Sequence, residues 1–491
     1  MGEEQTNTQK VVKGISSQTL VTIVLGVVEI VSFSIMSRLL SKEDFGYYAA
    51  ITAITSIFSA FSETGIGSAI IQRKDLTKRF IDNAFTINLI FGAFLSLLLF
   101  ALSGPLARMV VDSSMKIPLM LMSGTLLCHC LTSVNTAQMK RKLQFLKVGA
   151  IGLIAQVITV TVAIVLAIKG YGYYAIIVKG ILNDILVLVL SYVMVHTHYN
   201  LALDKETFKA IFNFSGWLMA STLFRNLAHQ MDRLLLPRLI SVGALGSYNR
   251  PKEFVRNMST RLNGIFDTAL FPVLSGLQDD KKRLRASFRR SFYYMNVFAT
   301  VLTLAFIFNS ELIIRVFFGK QWLEITYLMM TVSATLLFNI DGRLADCYLR
   351  SLAMTKQQFF FRVAETIIAS LSVIVGYRWG VMGVALSVFV TNSIIKLIKV
   401  SYIAVKIDMT VSETFTLLMS SWRFVLFIVP PTLLALFLTG HTLLGNVIIL
   451  AVFSIACIAV FLVWPQCVGK QYKDDAYRQI MSLIKSKVLK K

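Results

Sequence analysis

The chain has 491 residues, of which 56% are hydrophobic and only 15% charged, with a mean hydropathy of +0.68. A soluble protein of this length cannot bury so much apolar side chain, so a bilayer must solvate much of the surface. The formal net charge of +23 does not indicate nucleic acid, because the cations fall between apolar runs rather than on one soluble face; they read as loops that fix topology and lie on anionic membrane lipid.

Apolar stretches of about 20 residues, enough to cross a hydrocarbon core, occur near 15–37, 46–66, 83–103, 117–137, 148–168, 174–195, 210–231, 246–274, 292–314, 325–349, 361–377, 381–403, 417–439 and 442–464. They lack two-residue alternation and are too long for barrel strands. The expected fold class is therefore all-α integral membrane, with about 14 transmembrane helices. The opening MGEEQT is acidic and has no basic n-region, so no cleavable leader is expected. It also fits a loose myristoylation pattern, which would be redundant on a chain with this many spans. The five cysteines lie in or beside apolar runs and suggest no disulfide framework. His196 and His198 have no third ligand nearby, so no metal and no cofactor is expected.

Alternate loops hold Arg73, Lys74, Lys78 and Arg79, then Lys140, Arg141, Lys142 and Lys147, then Lys281, Lys282, Arg283, Arg285, Arg289 and Arg290. The intervening loops are poor in Lys and Arg. The positive-inside rule then places both termini in the cytoplasm, which needs an even number of spans.

Positions 37–48, SRLLSKEDFGYY, and 237–248, PRLISVGALGSY, share Arg38/Arg238, Leu39/Leu239, Ser41/Ser241, Gly46/Gly246 and Tyr48/Tyr248. Both lie between apolar segments, which indicates a duplicated membrane unit. The expected organisation is an N-lobe at 1–200 (helices one to six) and a C-lobe at 201–406 (seven to twelve). Helices thirteen and fourteen occupy 407–468, and a basic amphipathic tail follows at 469–491. Six helices per copy is even, so the copies form a parallel repeat.

Charges inside spans are costly and need a reason. Along helix eight Asn249, Lys252, Arg256, Thr260, Asn263 and Asp267 recur at three- and four-residue steps and share one face. Helix one carries Gln18, Thr22, Glu29 and Ser32 on one side. The 200-residue shift adds Thr52, Ser56 and Glu63 on helix two, and Thr222, Arg225, His229 and Asp232 on helix seven. These stripes predict a water-filled lumen lined by helices one, two, seven and eight. Arg225, Lys252 and Arg256 would hold an anion such as a pyrophosphate, at roughly 4 kcal/mol per contact before desolvation. The competing reading is an internal network with Asp232 and Asp267. Glu29 and Asp267 are the candidates for proton coupling. Lys179, Lys396 and Lys399 lie near helix ends and are expected to snorkel. Arg343, Asp346 and Arg350 are expected to pair with one another.

FGYYAAITAITSIFSAFSETGIGSAIIQRKD at 45–75, GSYNRPKEFVRN at 246–257, FPVLSGLQDDKKRLR at 271–285 and FFGKQW at 317–322 resemble signatures of bacterial oligosaccharide-lipid flippases. The nearest subgroup is the colanic-acid exporters, in the superfamily that also holds peptidoglycan lipid flippases and multidrug extruders. The resemblance implies a two-lobed fold with alternating access in the bacterial cytoplasmic membrane. The substrate it implies is an undecaprenyl-pyrophosphate-linked oligosaccharide, and the partners it implies are a polysaccharide polymerase and assembly proteins. It also implies coupling to an ion gradient and no catalysis. A multidrug or organic-ion antiporter is the alternative transporter, but it would be expected to offer carboxylates where the second lobe offers cations. A membrane polymerase or ligase is the alternative enzyme, but no nucleophile–base pair stands out.

Overall fold

The computed structural model describes residues 2–62, 66–72, 76–196, 198–277, 280–352, 354–419, 421–439 and 442–463. Among these the regular secondary structure is all helix, without strands. The long helices, in chain order, are α1 (Gly2–Leu39), α2 (Lys42–Ser62), α3 (Lys78–Val110), α4 (Lys116–Arg141), α5 (Phe145–Ile168), α6 (Tyr173–Val195), α7 (Lys205–Leu239) and α8 (Val242–Ser275). They continue with α9 (Lys281–Phe308), α10 (Thr326–Ser351), α11 (Thr355–Gly376), α12 (Gly380–Lys406), α13 (Trp422–Thr439) and α14 (Leu443–Val463). Nine helical stretches among the described residues are long and apolar enough to cross a membrane, one of them, Lys356–Lys406, taking in α11 and α12 together. The chain is an all-α integral membrane protein.

The helices begin where the sequence supplies caps. Ser41 and Asp44 form a reciprocal capping box at α2, with Asp44 N–H donating to Ser41 Oγ at 3.1 Å and Ser41 N–H to Asp44 Oδ2 at 3.0 Å. Ser241, the repeat partner of Ser41, accepts from Ala244 N–H at 3.1 Å and starts α8. Thr77 caps α3, and Asp280 caps α9. The stretch before α13 differs from expectation. A separate helix, Val411–Met419, stands there under its own Thr410–Glu413 box, while Pro430 and Pro431 lie inside α13.

By packing, the chain divides into two units. The first comprises residues 1–250 with 317–321 and 359–388, and the second comprises 251–316, 322–358 and 389–491. In the first, α3 packs on α4, α4 on α6, α5 on α1 and α6, and α2 on α7. The linker after α6 is strapped onto α3. The N–H groups of Asn200, Ala202 and Asp204 donate to Asp82, Thr86 and Asn83 at 3.3, 3.0 and 2.6 Å. Tyr199 stacks on Phe85 with centroids 4.1 Å apart and meets Asn135 and Gln138 through its hydroxyl. Every second backbone donor of the strap is thus satisfied by a side chain of one helix.

In the second unit α9 packs on α10, and α13 on α14 and α9. Tyr348 lies among Phe288 and Phe292 and bonds Ser291 at 2.9 Å. The α10–α12 seam is polar. Lys399 is only 1% exposed and lies 3.1 Å from Asp346, while the Lys396 ammonium donates to Asn339. These lysines do not snorkel, and Lys399 of α12 is an ion partner of Asp346. A buried pair across two helices fixes their register, because leaving either charge alone would be costly.

Candidate functional site at the paired starts of α2 and α8

The two repeated stretches meet. A Cβ on Gly246 would fall 1.8 Å from the Lys42 carbonyl oxygen, and one on Gly46 would fall 2.0 Å from that of Val242. Positions 42/242 and 46/246 are repeat equivalents, so the contacts are exchanged, as around a two-fold axis. Gly243 faces its own equivalent, Glu43, whose Oε1 would lie 2.6 Å from a Cβ. Two helix backbones can approach this closely only where neither carries a side chain. The shared serines of the duplicated motif cap the helices, and its glycines let them cross.

One turn further along α8, Arg250 reaches back toward α1. It is 6% exposed. Its guanidinium donates to Ser37 Oγ at 2.7 and 3.1 Å and to the Phe33 carbonyl at 2.9 Å. The rings of Phe33 and Phe45 lie 3.5 and 4.0 Å from its central carbon, at cation–π distance. The 317–321 segment joins the same cluster. Gln321 donates to the Ser37 carbonyl at 2.7 Å, and Phe318 packs edge-on to Phe33. Arg250 was not singled out by periodicity, since it lies off the polar stripe. The signal that could have found it is the Asn249–Arg250–Pro251 run inside a quoted signature. Beside it, Tyr248 donates to Asp232 at 2.9 Å, and Asn249 Oδ1 is buried without a hydrogen-bond partner among the described residues.

The predicted lumen residues divide by exposure. In the first unit Ser32 is buried and accepts from Lys179 at 3.0 Å. Thr222 and Asp232 are also buried, and Glu29 is half-buried. Thr52 and Ser56 are half-buried and turn their hydroxyls to carbonyls of their own helix. Thr22, Arg225 and His229 are exposed. In the second unit Lys252 and Arg256 are half-buried, and Arg256 has Glu253 one turn away at 4.0 Å. Thr260 is exposed and bonds the Arg256 carbonyl. Glu63 and the side chains of Gln18, Asn263 and Asp267 lie outside the described residues. The cations thus fall into two sets. Arg250 and Lys399 are buried among named partners, whereas Arg225 is exposed and Lys252 and Arg256 are half-buried. No cluster of metal-ligating side chains occurs among the described residues.

A family model described as a polysaccharide biosynthesis protein matches residues 35–327, which include the paired helix starts and the Arg250 cluster. The lipopolysaccharide biosynthesis protein WzxC of Escherichia coli (strain K12) is 22% identical over 405 residues, 81% of each chain. The teichuronic acid biosynthesis protein TuaB of Bacillus subtilis (strain 168) is 21% identical over 330 residues, 64% of this chain and 66% of that protein. Among solved structures, the lipid II flippase MurJ aligns with 91% of this chain and 99% of its own, at a TM-score of 0.68 and 16% identity. An inward-facing multidrug MATE transporter of the MOP superfamily aligns with 80% and 98%, at a TM-score of 0.66 and 11% identity. The chain shares the fold of these proteins.

Proposed function

The chain belongs to the polysaccharide biosynthesis protein family, and from that premise we propose that it moves an undecaprenyl-pyrophosphate-linked oligosaccharide across the bacterial cytoplasmic membrane by alternating access. The reading takes it as a transporter without catalysis, acting beside a polysaccharide polymerase and assembly proteins. Both termini lie in the cytoplasm on this reading, as the loop cations require. The six-helix copies at 1–200 and 201–406 are its moving lobes.

The observation that carries the proposal is the placement of Arg225. It stands exposed near the middle of α7, a 35-residue helix, with exposed His229 one turn on. An arginine facing lipid at mid-depth would cost about 2.5–3.5 kcal/mol even on the mildest scale. Facing a wet lumen, it instead offers a fork of donors to an anion. Lys252 and Arg256 on α8 are further phosphate contacts on this reading, and Glu29 and Asp267 are carriers for a coupling proton.

The test is export of surface glycan by membrane-inserted variants. Arg256→Ala is expected to reduce it, and Arg225→Ala with Arg256→Ala to nearly eliminate it. Arg256→Lys should recover part of the export if charge suffices, and little if bidentate geometry dominates. Full export by the double variant overturns the assignment of these cations.

A further inference from the structure

We infer that His129 and Asp184 form a proton-binding site at mid-depth in the first unit, separate from the stripes that carry Glu29 and Asp267. The inference rests on the transport reading above. His129 Nε2 lies 3.2 Å from Asp184 Oδ2 and ties α4 to α6. Asp184 stands eleven residues from either end of α6, and His129 stands thirteen and twelve from the ends of α4. At 1.5 Å of rise per residue both lie about 16–20 Å from the helix ends, near the centre of a core about 30 Å thick. Ionisable groups at that depth are rare unless they serve a pathway or relay.

The two partners are unequally covered. The imidazole is 52% exposed and the carboxylate 16%. On the transport reading the exposed ring borders the wet lumen, so a proton reaches it there while the carboxylate stays between the helices. With one shared proton the pair is an imidazolium beside a carboxylate, neutral in sum, with Nε2–H donating to Oδ2. A second proton forms an O–H bond on Asp184, ends the charge attraction and leaves the pair at +1. Loss of the shared proton leaves the carboxylate alone at −1. Each step changes the charge held between α4 and α6 by one, and no species other than a proton is exchanged. Histidine is the side chain whose charge changes most readily near neutral pH.

Few other titratable groups face this depth. On α4 they are Cys128 and Cys130. On α6 there is Lys179, whose ammonium is held by Ser32 of α1, and Asn183 lies 3.4 Å from Asp184 Oδ1 as a neutral neighbour. Glu29 is the deep titratable group of α1, and the titratable groups of α2, Lys42, Glu43, Asp44, Tyr47 and Tyr48, all lie in its first two turns. Between Asp82 and Arg108 on α3, and between Lys147 and Lys169 on α5, there is none. Among the described residues of α1 to α6, the pair is thus an acid and a base in contact at mid-depth.

The test uses the full chain in vesicles loaded with undecaprenyl-pyrophosphate-linked oligosaccharide, with and without an imposed pH gradient. The quantity read is the ratio of flipping rates under the two conditions. The wild type is expected to respond several-fold, and Asp184→Asn to bring the ratio to about one. His129→Gln should do the same and keeps the question open to test if Asp184→Asn does not fold. A wild-type ratio in a folded Asp184→Asn or His129→Gln variant overturns the site. A wild type that flips the lipid with no gradient response overturns this inference while leaving the transport reading standing. A wild type that flips no lipid-linked glycan at all overturns the transport reading itself.

Discussion

Adding one methyl group at Gly246 should disrupt the crossing between α2 and α8. The new Cβ would sit 1.8 Å from the Lys42 carbonyl oxygen, and real Cβ atoms essentially never come within 3.0 Å of such an atom. The obstacle is backbone, so no side chain can swing away, and the helices must separate by more than an ångström. Overpacking of this kind costs typically 1–3 kcal/mol, a factor of roughly 5 to 150 in the population of the packed crossing. Gly46→Ala meets the Val242 carbonyl in the same way and should cost about as much. The informative measurement is the double variant. Once one alanine has pushed the helices apart, the second finds the space already open, so the two costs should not add. Thermal unfolding of the detergent-solubilised protein, followed by light scattering and size exclusion, reads all three variants against Gly124→Ala. That glycine is exposed on α4 with nothing near its Cβ position, so alanine there should be neutral or slightly stabilising. Additive losses in the double variant, or a Gly246→Ala protein as stable as wild type, would refute the exchanged-contact geometry.

Other expectations concern the neighbouring cluster, the strap and the topology. Arg250→Ala should lower stability by several kcal/mol, because hydrogen bonds to a charged group contribute about 1.5–3 kcal/mol each. Arg250→Lys should rescue little, since a lysine cannot fill a flat slot between two rings; equal stability of the Lys variant and wild type would contradict the clamp. Burial pushes the Tyr199 hydroxyl up to about 12. The unfolded chain gives up this proton near pH 10 while the folded chain keeps it. Stability from this group is therefore complete below pH 10 and lost as pH rises toward 12, a slope that Tyr199→Phe should remove from the alkaline unfolding curve. In a cysteine-free background, Arg283→Cys should be protected from an impermeant thiol reagent in intact cells and Gly440→Cys should react. Labelling of position 283 from outside would reverse the orientation.

Helix number and membrane class were legible because each span announces itself by length and hydropathy. The duplication was legible as five identical residues in the twelve-residue stretches at 37–48 and 237–248. What those residues do was not. Ser41 and Ser241 could be read as caps from local spacing alone, but the exchange of contacts at Gly46 and Gly246 is a tertiary fact. Arg250 escaped for a related reason. Helical periodicity groups Asn249, Lys252 and Arg256, and it leaves Arg250 on a different face whose partners, Phe33, Ser37 and Phe45, lie some 200 residues earlier. Lys399 looked like a snorkelling end residue until Asp346, 53 positions away, closed on it. The strap at 199–204 reads as an ordinary linker, because its acceptors Asp82, Asn83 and Thr86 belong to α3. Periodicity reports which residues share a face of a helix. It does not report what that face meets.

On the proposed function, the chain moves a lipid-linked glycan from one leaflet to the other. The direct measurement reconstitutes the purified protein in vesicles carrying a fluorescent undecaprenyl-pyrophosphate-linked oligosaccharide in both leaflets, with a membrane-impermeant glycosidase outside. Protein-free vesicles should lose only the outer-leaflet glycan and then stop. Vesicles containing the wild-type chain should go on to lose nearly all of it, and those containing Arg225→Ala/Arg256→Ala should stop near the protein-free level. Digestion that halts at the outer leaflet with well-folded wild-type protein present would contradict the account.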